Sequence, residues 1–187
     1  MLKINFSPFP VIKTQRLILR RVRMADAPEL FVLRSSKKVL KYIDRAPHKH
    51  VNETRKLIKL LYMLEKTGSA VNWAITMKGE DKLIGNICLW NIKKEHHRAE
   101  LGYMLHPAHY GKGIMSEAIK AVLEVGFKKY KFHSVEAIVN PKHKVSIHLL
   151  EKNKFRREAY YRENHFFNGK FLDSAIYSRL SPLKKRS

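Results

Sequence analysis

The segment Tyr110-Gly111-Lys112-Gly113-Ile114-Met115 joins an apolar, strand-like run, Ala99 to Leu105, to a helical stripe made by Ile114, Ala118, Ile119, Val122, Leu123 and Phe127. A loop that opens a helix directly behind a strand aims several backbone N–H groups and the positive end of the helix dipole at one spot. The chemistry that suits such a spot is the holding of an anion. Glycine at 111 and 113 lets the main chain approach a phosphate with no Cβ in the way, and Lys112 adds charge nearby. Two glycines so spaced also make an ordinary turn, and the spacings of Walker A and of the dinucleotide fingerprint are both missing. Upstream, Glu100 is a carboxylate inside an otherwise apolar strand. Partial burial would raise its pKa toward the range useful to a general base; the plainer alternative is an edge-strand glutamate paired with Arg98 or another cation. Strand alternation puts Glu100 and Tyr103 on opposite faces unless a bulge intervenes.

The elements that must position these residues alternate along the chain. Leu17 to Val22 has strand character, and Asp26-Ala27-Pro28-Glu29 gives a helix start with an acidic cap, proline in the first turn and glutamate three residues after the cap. Leu57, Ile58, Leu60, Leu61 and Leu64 place a helix over about 52–66, ended by Thr67-Gly68. Trp73–Met77, Leu83–Trp90 and Ala99–Leu105 read as an antiparallel meander. Beyond the phosphate-type loop and its helix, Ser134–Val139 reads as a strand and Val145–Lys154 as a helix. Phe155–Phe167 and Lys170–Leu180 then form a hairpin turned at Asn168-Gly169. The class is mixed α/β. No repeat or Gly/Ser linker interrupts the 187 residues, so one domain is expected, with its core over about 14–180 and a basic tail at 181–187.

Composition narrows the partners. There are 38 Lys and Arg against 16 Asp and Glu, a net charge of +22 that attracts polyanions: nucleic acid, an acidic protein, anionic lipid or the phosphates of a cofactor. The cations are spread along the chain, with Lys184-Lys185-Arg186 as the terminal cluster, so a solvated basic surface or a weak nucleic-acid contact fits better than a dedicated binding arm. The lone cysteine, Cys88, cannot pair within the chain and reads as a buried spectator. With no signal-like N-terminus and no run of about 20 apolar residues, a cytoplasmic protein without a membrane span is expected. Neither C-x2-C nor H-x3-H spacing occurs, and the histidines lack ligand-spaced partners, so no metal is expected.

The stretch AELGYMLHPAHYGKGIMSEA, residues 99–118, closely resembles the acetyl-coenzyme A motif of the GNAT superfamily of N-acetyltransferases. Tyr110 and Met115 depart from the usual pattern, but at side chains flanking a loop that holds pyrophosphate through its backbone. The resemblance spans nearly the whole chain. TQRLILRR from Thr14 with DAPEL from Asp26 looks like the opening strand and helix of the ribosomal-protein acetyltransferase branch, and NGKFLDSAIY from Asn168 looks like its closing hairpin. Ser146 to Phe155 is similar to the penultimate helix, with His143 where asparagine is usual and Lys154 where glycine is.

This resemblance implies a GNAT fold: a central mixed, largely antiparallel sheet of six or seven strands, a splayed central strand pair and about four helices. It implies acetyl-CoA as cosubstrate and direct attack of an amine, with no covalent enzyme intermediate. Tyr103, Met104 and Leu105 would pair with the pantetheine arm. The pyrophosphate would rest on Tyr110, Gly111, Lys112, Gly113, Ile114, Met115 and Ser116, and His143 would touch the arm. Glu100 would be the base. The tyrosine that many members use to protonate the thiolate is replaced by Leu150, which leaves Ser146 as the local substitute or as a merely structural helix-end serine. By their place on the closing hairpin, Tyr177, Asp173 and His165 are candidates to line the acceptor site, although a strand tyrosine is more often a core or edge residue. The acceptor implied is a peptide or protein N-terminus, acidic or ribosome-associated, met by a monomer or homodimer. Two alternatives remain: an acetyltransferase of small amines such as polyamines or antibiotics, and a non-catalytic acyl-CoA- or RNA-binding module.

Overall fold

The structure is a computed structural model and describes residues 1–183; the cluster Lys184-Lys185-Arg186 lies outside the described residues. Period-two apolar runs build one eight-stranded sheet. Its strands are β1 (Ile12–Lys13), β2 (Leu17–Arg21), β3 (Val71–Met77), β4 (Gly85–Lys93), β5 (Arg98–Leu105), β6 (Ser134–Val139), β7 (Arg156–Phe167) and β8 (Lys170–Leu180). They lie in the order β1-β2-β3-β4-β5-β6-β8-β7. Every neighbouring pair is antiparallel except β5 and β6. The helices are α1 (Ala27–Ser35), α2 (Lys37–Leu40), α3 (Val51–Lys66), α4 (Ile114–Lys128) and α5 (Lys144–Lys152). The mixed, largely antiparallel architecture is the expected one. Two-residue β1 and one-turn α2 are additional, because elements so short leave no periodicity to read.

Alternation divides the sheet into two cores. Leu17, Leu19, Trp73, Ile75, Ile87, Leu89, Ala99 and Leu101 face α4, whose Ile114, Ala118, Ile119, Val122 and Phe127 complete the larger one. Ala74 and Met104 face the other way, toward Leu30 and Leu33 of α1 and Ile58 of α3. Trp73 is sealed from solvent and satisfies its indole by donating Nε1–H to the carbonyl of Pro10, 2.7 Å away. The hairpin turns where expected: Asn168 and Gly169 take φ values of 48° and 75°, the left-handed pair that matches the twist of antiparallel strands.

The start of α1 differs from the expected acidic cap. Asp26 occupies the capping position but makes no side-chain cap. Its two carboxylate oxygens instead accept from Arg20 Nη1 and Nη2, each at 2.8 Å, and Oδ2 also accepts from the Arg23 amide at 2.6 Å. A buried guanidinium needs a bidentate anion more than a helix end needs a cap, since the helix end reaches water more easily. Asp81, with a 71% exposed side chain, is the second partner of Arg20. Asp26→Ala therefore lowers the unfolding free energy by about 3 kcal/mol in urea titration, because it strands a buried charge. Asp81→Ala costs less than about 1 kcal/mol.

Candidate active site

The residues at the sheet centre are placed by a parting of strands. β5 pairs with β4 along its whole length to Leu105, but with β6 only over Arg98, Ala99 and Glu100. β6 meanwhile stays paired with β8 out to Val139. From residue 101 onward one edge of β5 faces a gap, which is the expected splay. Gly102 and Met104 turn their carbonyls to β4: Gly102 O accepts from the Cys88 thiol at 3.5 Å, and Met104 O lies against Gly85. Leu101, Tyr103 and Leu105 then direct their backbone groups into the gap. Of the three residues expected to pair across it, Tyr103 and Leu105 are so oriented, whereas the main chain of Met104 belongs to the β4 ladder.

The far end of the gap leads to the glycine loop. Gly111 and Gly113 adopt φ values of 74° and 73°, a region open to glycine and resisted by residues with a Cβ. Gly113 caps α4 without any side-chain cap. The amides of residues 111 to 116 find no acceptor among the described residues, so they form a cradle of donors at the positive end of a 15-residue helix. Nothing lies within 4 Å of the space over Gly111. A pyrophosphate fits this donor set. Ile114 and Met115 are buried beneath the cradle, and the buried Ser116 hydroxyl is held by Asn153 Nδ2 at 3.1 Å. Tyr110 and Lys112 stay exposed at its rim.

Arg16 was not singled out by the sequence, and it braces this loop. Its Nη1 donates to Lys112 O at 2.9 Å, and its Nε donates to Glu117 at 2.7 Å. Burial pushes the Glu117 carboxyl up, but hydrogen bonds from Thr14, the Arg16 amide and the Arg16 side chain outweigh it and leave the group below its ordinary range. A stable carboxylate thus holds a guanidinium beside the cradle. About a hundred residues separate the partners, so no local pattern announces the contact.

Glu100 is 7% exposed and lies on the sheet face opposite Tyr103. Arg98 pairs with Glu136 at 2.8 Å, not with Glu100. Glu100 instead faces Asn91, whose Nδ2 donates to its Oε2 at 3.4 Å. A bulge between Trp90 and Lys93, with Asn91 at φ 46°, turns that amide toward it. Burial pushes the Glu100 carboxyl up to about 7; the hydrogen bond from Asn91 opposes it, the Glu136 charge adds a lesser push upward, and Lys93 opposes it least. That value suits a group exchanging protons near neutrality. Cys88 and the Trp90 indole crowd the Gly102 position beside it. Burial also pushes the Cys88 thiol up to about 12, so it stays protonated and is a poor nucleophile.

On the other face Tyr103 Oη and Ser146 Oγ are 2.7 Å apart. Burial raises the Tyr103 phenol to about 12, against the opposing effect of Ser146. The two hydroxyls form a protonated pair beside the gap, and Leu150 lies buried in the core. His143 caps α5 and stacks on Tyr42 of the α2–α3 loop, ring centroids 4.7 Å apart. Register places two hairpin residues away from Glu100. Glu136 opposes Ser178, so Asp173 and Tyr177 lie on the α5 face, where Tyr177 is buried and Asp173 accepts from Tyr160. His165 opposes Leu172 and remains on the Glu100 side. A cavity of about 460 Å³ opens there between the α2–α3 loop (Lys41, Asp44, Arg45) and the hairpin (Phe167, Asn168, Leu172). Among the described residues no helix is long and apolar enough to cross a membrane.

A largely antiparallel sheet that parts beyond a buried glutamate and leads to an amide cradle defines the class: a GNAT-fold acyltransferase. The chain belongs to the acetyltransferase (GNAT) domain family, which matches residues 16–156, and it is an N-acetyltransferase of that family. It is 34% identical to an uncharacterized N-acetyltransferase, p20, of Bacillus licheniformis over 89% of this chain and 94% of that one. It is 28% identical to the ribosomal-protein-serine acetyltransferase of Escherichia coli, over 68% of this chain and 70% of the other. A GNAT-family acetyltransferase structure from Bacillus anthracis superposes with a TM-score of 0.82 at 28% identity, covering 93% of this chain and 100% of that one.

The raised pKa of Glu100 has a stability consequence. The fold binds the proton more tightly than the unfolded chain does, so this group's contribution is greatest below its ordinary range and declines as pH climbs toward 7. Glu100→Gln, neutral throughout, is therefore more stable than the native protein at pH 8 by up to about 3 kcal/mol. The two match at about pH 4.5. Urea denaturation at both pH values checks the crossing.

Proposed function

We propose that the chain transfers acetyl from acetyl-CoA to the α-amine of a peptide or protein N-terminus. When bound, acetyl-CoA supplies an acetyl group activated as a thioester. The observation that carries the proposal is the gap along β5, with unpaired amides of 111–116 at one end and Glu100 beside its start. The cradle holds the pyrophosphate. Tyr103 and Leu105 offer the backbone groups with which an extended arm pairs as an added strand. Glu100 takes a proton from the incoming ammonium, directly or through a water, and leaves a neutral amine able to attack. The Tyr103 and Ser146 hydroxyls stand on the opposite side of the gap and protonate the departing thiolate, the role for which Leu150 has no group.

A name among the relatives supports the acceptor, and so does the shape of the cavity. It is open to a flexible chain end and rimmed by Lys37, Lys41, Arg45 and Lys170. Such a rim steers acidic peptides, or proteins already seated on RNA, and repels free polyamines. A competition screen of N-terminal peptides against spermidine and an aminoglycoside, at low and physiological salt, tests the assignment. The acidic peptides are acetylated fastest, and their advantage shrinks with salt; equal or faster acetylation of the polyamine overturns the peptide assignment.

Glu100→Gln lowers kcat by about a hundredfold and removes the limb of the pH–rate profile that rises through about pH 7, with little change in cofactor affinity. Tyr103→Phe and Ser146→Ala each lower kcat by about tenfold, and the double variant loses little more than either alone, because the two hydroxyls act as one unit. Additive losses would separate them. Gly113→Val forces a β-branched residue into a left-handed φ, so calorimetry shows CoA binding weakened at least about tenfold. If the folded native protein gives no heat with CoA or its acyl forms, the whole reading is lost.

A further inference from the structure

The positive charge of this protein is spread over several segments, and one of them presents it along a single helix face. Residues 37–66, which make α2, α3 and the loop between them, hold nine lysines and arginines against three carboxylates. All nine cations are exposed: Lys37, Lys38, Lys41, Arg45, Lys49, Arg55, Lys56, Lys59 and Lys66. None of them enters an ion pair among the described residues, whereas Arg16, Arg20, Arg21, Arg23 and Arg98 all do. Two of the three carboxylates are already engaged within the protein. Glu65 is held by Arg21, and Glu53 accepts from the Lys49 amide.

The outer surface of α3 is consequently a stripe of one sign. Asn52, Arg55, Lys56, Lys59, Leu60, Met63 and Lys66 are its exposed residues, at helical spacing. From Arg55 to Lys66 the stripe runs about 16 Å. Arg55 and Lys59 are like charges one turn apart, an arrangement that works against the helix unless an anion lies across it. We propose that this face of α2 and α3 docks on the phosphate backbone of structured RNA, at the mouth of the acceptor cavity, whose rim includes Lys37, Lys41 and Arg45.

Geometry favours RNA over the other polyanions. The inner side of α3 is committed to the protein: Ile58 and Thr54 are sealed against α1 and the sheet. A helix embedded to that depth protrudes too little to enter a DNA major groove about 8.5 Å deep, but it can lie on the wide, shallow minor groove of A-form RNA. A bilayer needs apolar side chains to insert, and among the large apolar residues of α3 only Leu60 and Met63 are exposed. Docked RNA would hold a ribonucleoprotein's peptide end beside the cavity.

The test reads binding rather than turnover, so its failure is distinguishable from failure of the acceptor assignment. Anisotropy of a short fluorescein-labelled RNA hairpin is followed across a salt series. It is measured for the native chain, for a variant with Arg55, Lys56, Lys59 and Lys66 all changed to Gln, and for a control losing equal charge at Lys152, Lys154, Arg156 and Arg157. Those control positions are exposed and lie at the end of α5 and the start of β7, the edge strand of the sheet farthest from β3, on which α3 packs. The α3 variant binds at least about tenfold more weakly at physiological salt, and its log–log salt slope is smaller by about 3. The control keeps its slope within about 1 of the native value. Both variants retain the native CD spectrum and CoA binding. Equal losses in the two variants, or none in either, overturn the proposal. So does a DNA duplex of the same sequence that binds as tightly as the RNA, or phosphatidylserine vesicles that bind with the same dependence on these four residues.

Discussion

Three residue pairs tie β5 to β6 before the strands part, and the site depends on where that pairing stops. Both strands keep an outer partner, β4 for one and β8 for the other, so each remains ordered while the seam between them opens. The backbone groups of Leu101, Tyr103 and Leu105 are then left without strand partners, and such groups away from water are costly unless something meets them. A gap held open by two well-paired half-sheets behaves as a binding slot with one missing strand. The amide cradle of 111–116 and the buried carboxylate of Glu100 both take their positions from it.

The two faces of β5 carry different titratable groups. Glu100 lies on the α1–α3 side, where burial and Glu136 keep its carboxyl near neutrality. Tyr103 lies on the α4–α5 side with Ser146, where burial keeps the phenol protonated. A strand one residue thick therefore presents a carboxylate to one side and a pair of hydroxyls to the other. The opposite faces, which in the bare sequence looked like an obstacle to joint action, would under the proposed function keep acceptor and leaving group apart. An N-acetyl transfer has that requirement, since the amine must lose a proton while the thiolate gains one.

Much of the fold was legible along the chain. The meander, the helix behind Gly113, the Ser134–Val139 strand and the Asn168-Gly169 hairpin all announce themselves in apolar periodicity and turn chemistry. Lys154 illustrates a limit: it stands where the pattern that the chain resembles usually has glycine, and it adopts a left-handed φ of 64°. The backbone there follows the fold, not the preference of the residue. Asp26 is another case, a residue in capping position whose carboxylate is taken by a buried guanidinium.

By itself the sequence determined the order of elements and the family, and it offered the glycine loop and Glu100 as candidates, because each of these is written in short runs of adjacent residues. Only the tertiary structure decided that Arg16 braces the loop and that Asn91, not Arg98, meets Glu100. It alone gave Ser146 a phenol to share and turned Asp173 and Tyr177 to the far face. Each of those outcomes depends on register and on contacts between residues distant in the chain. A shift of one residue in a strand reverses every side chain it carries, and no local pattern records which register won.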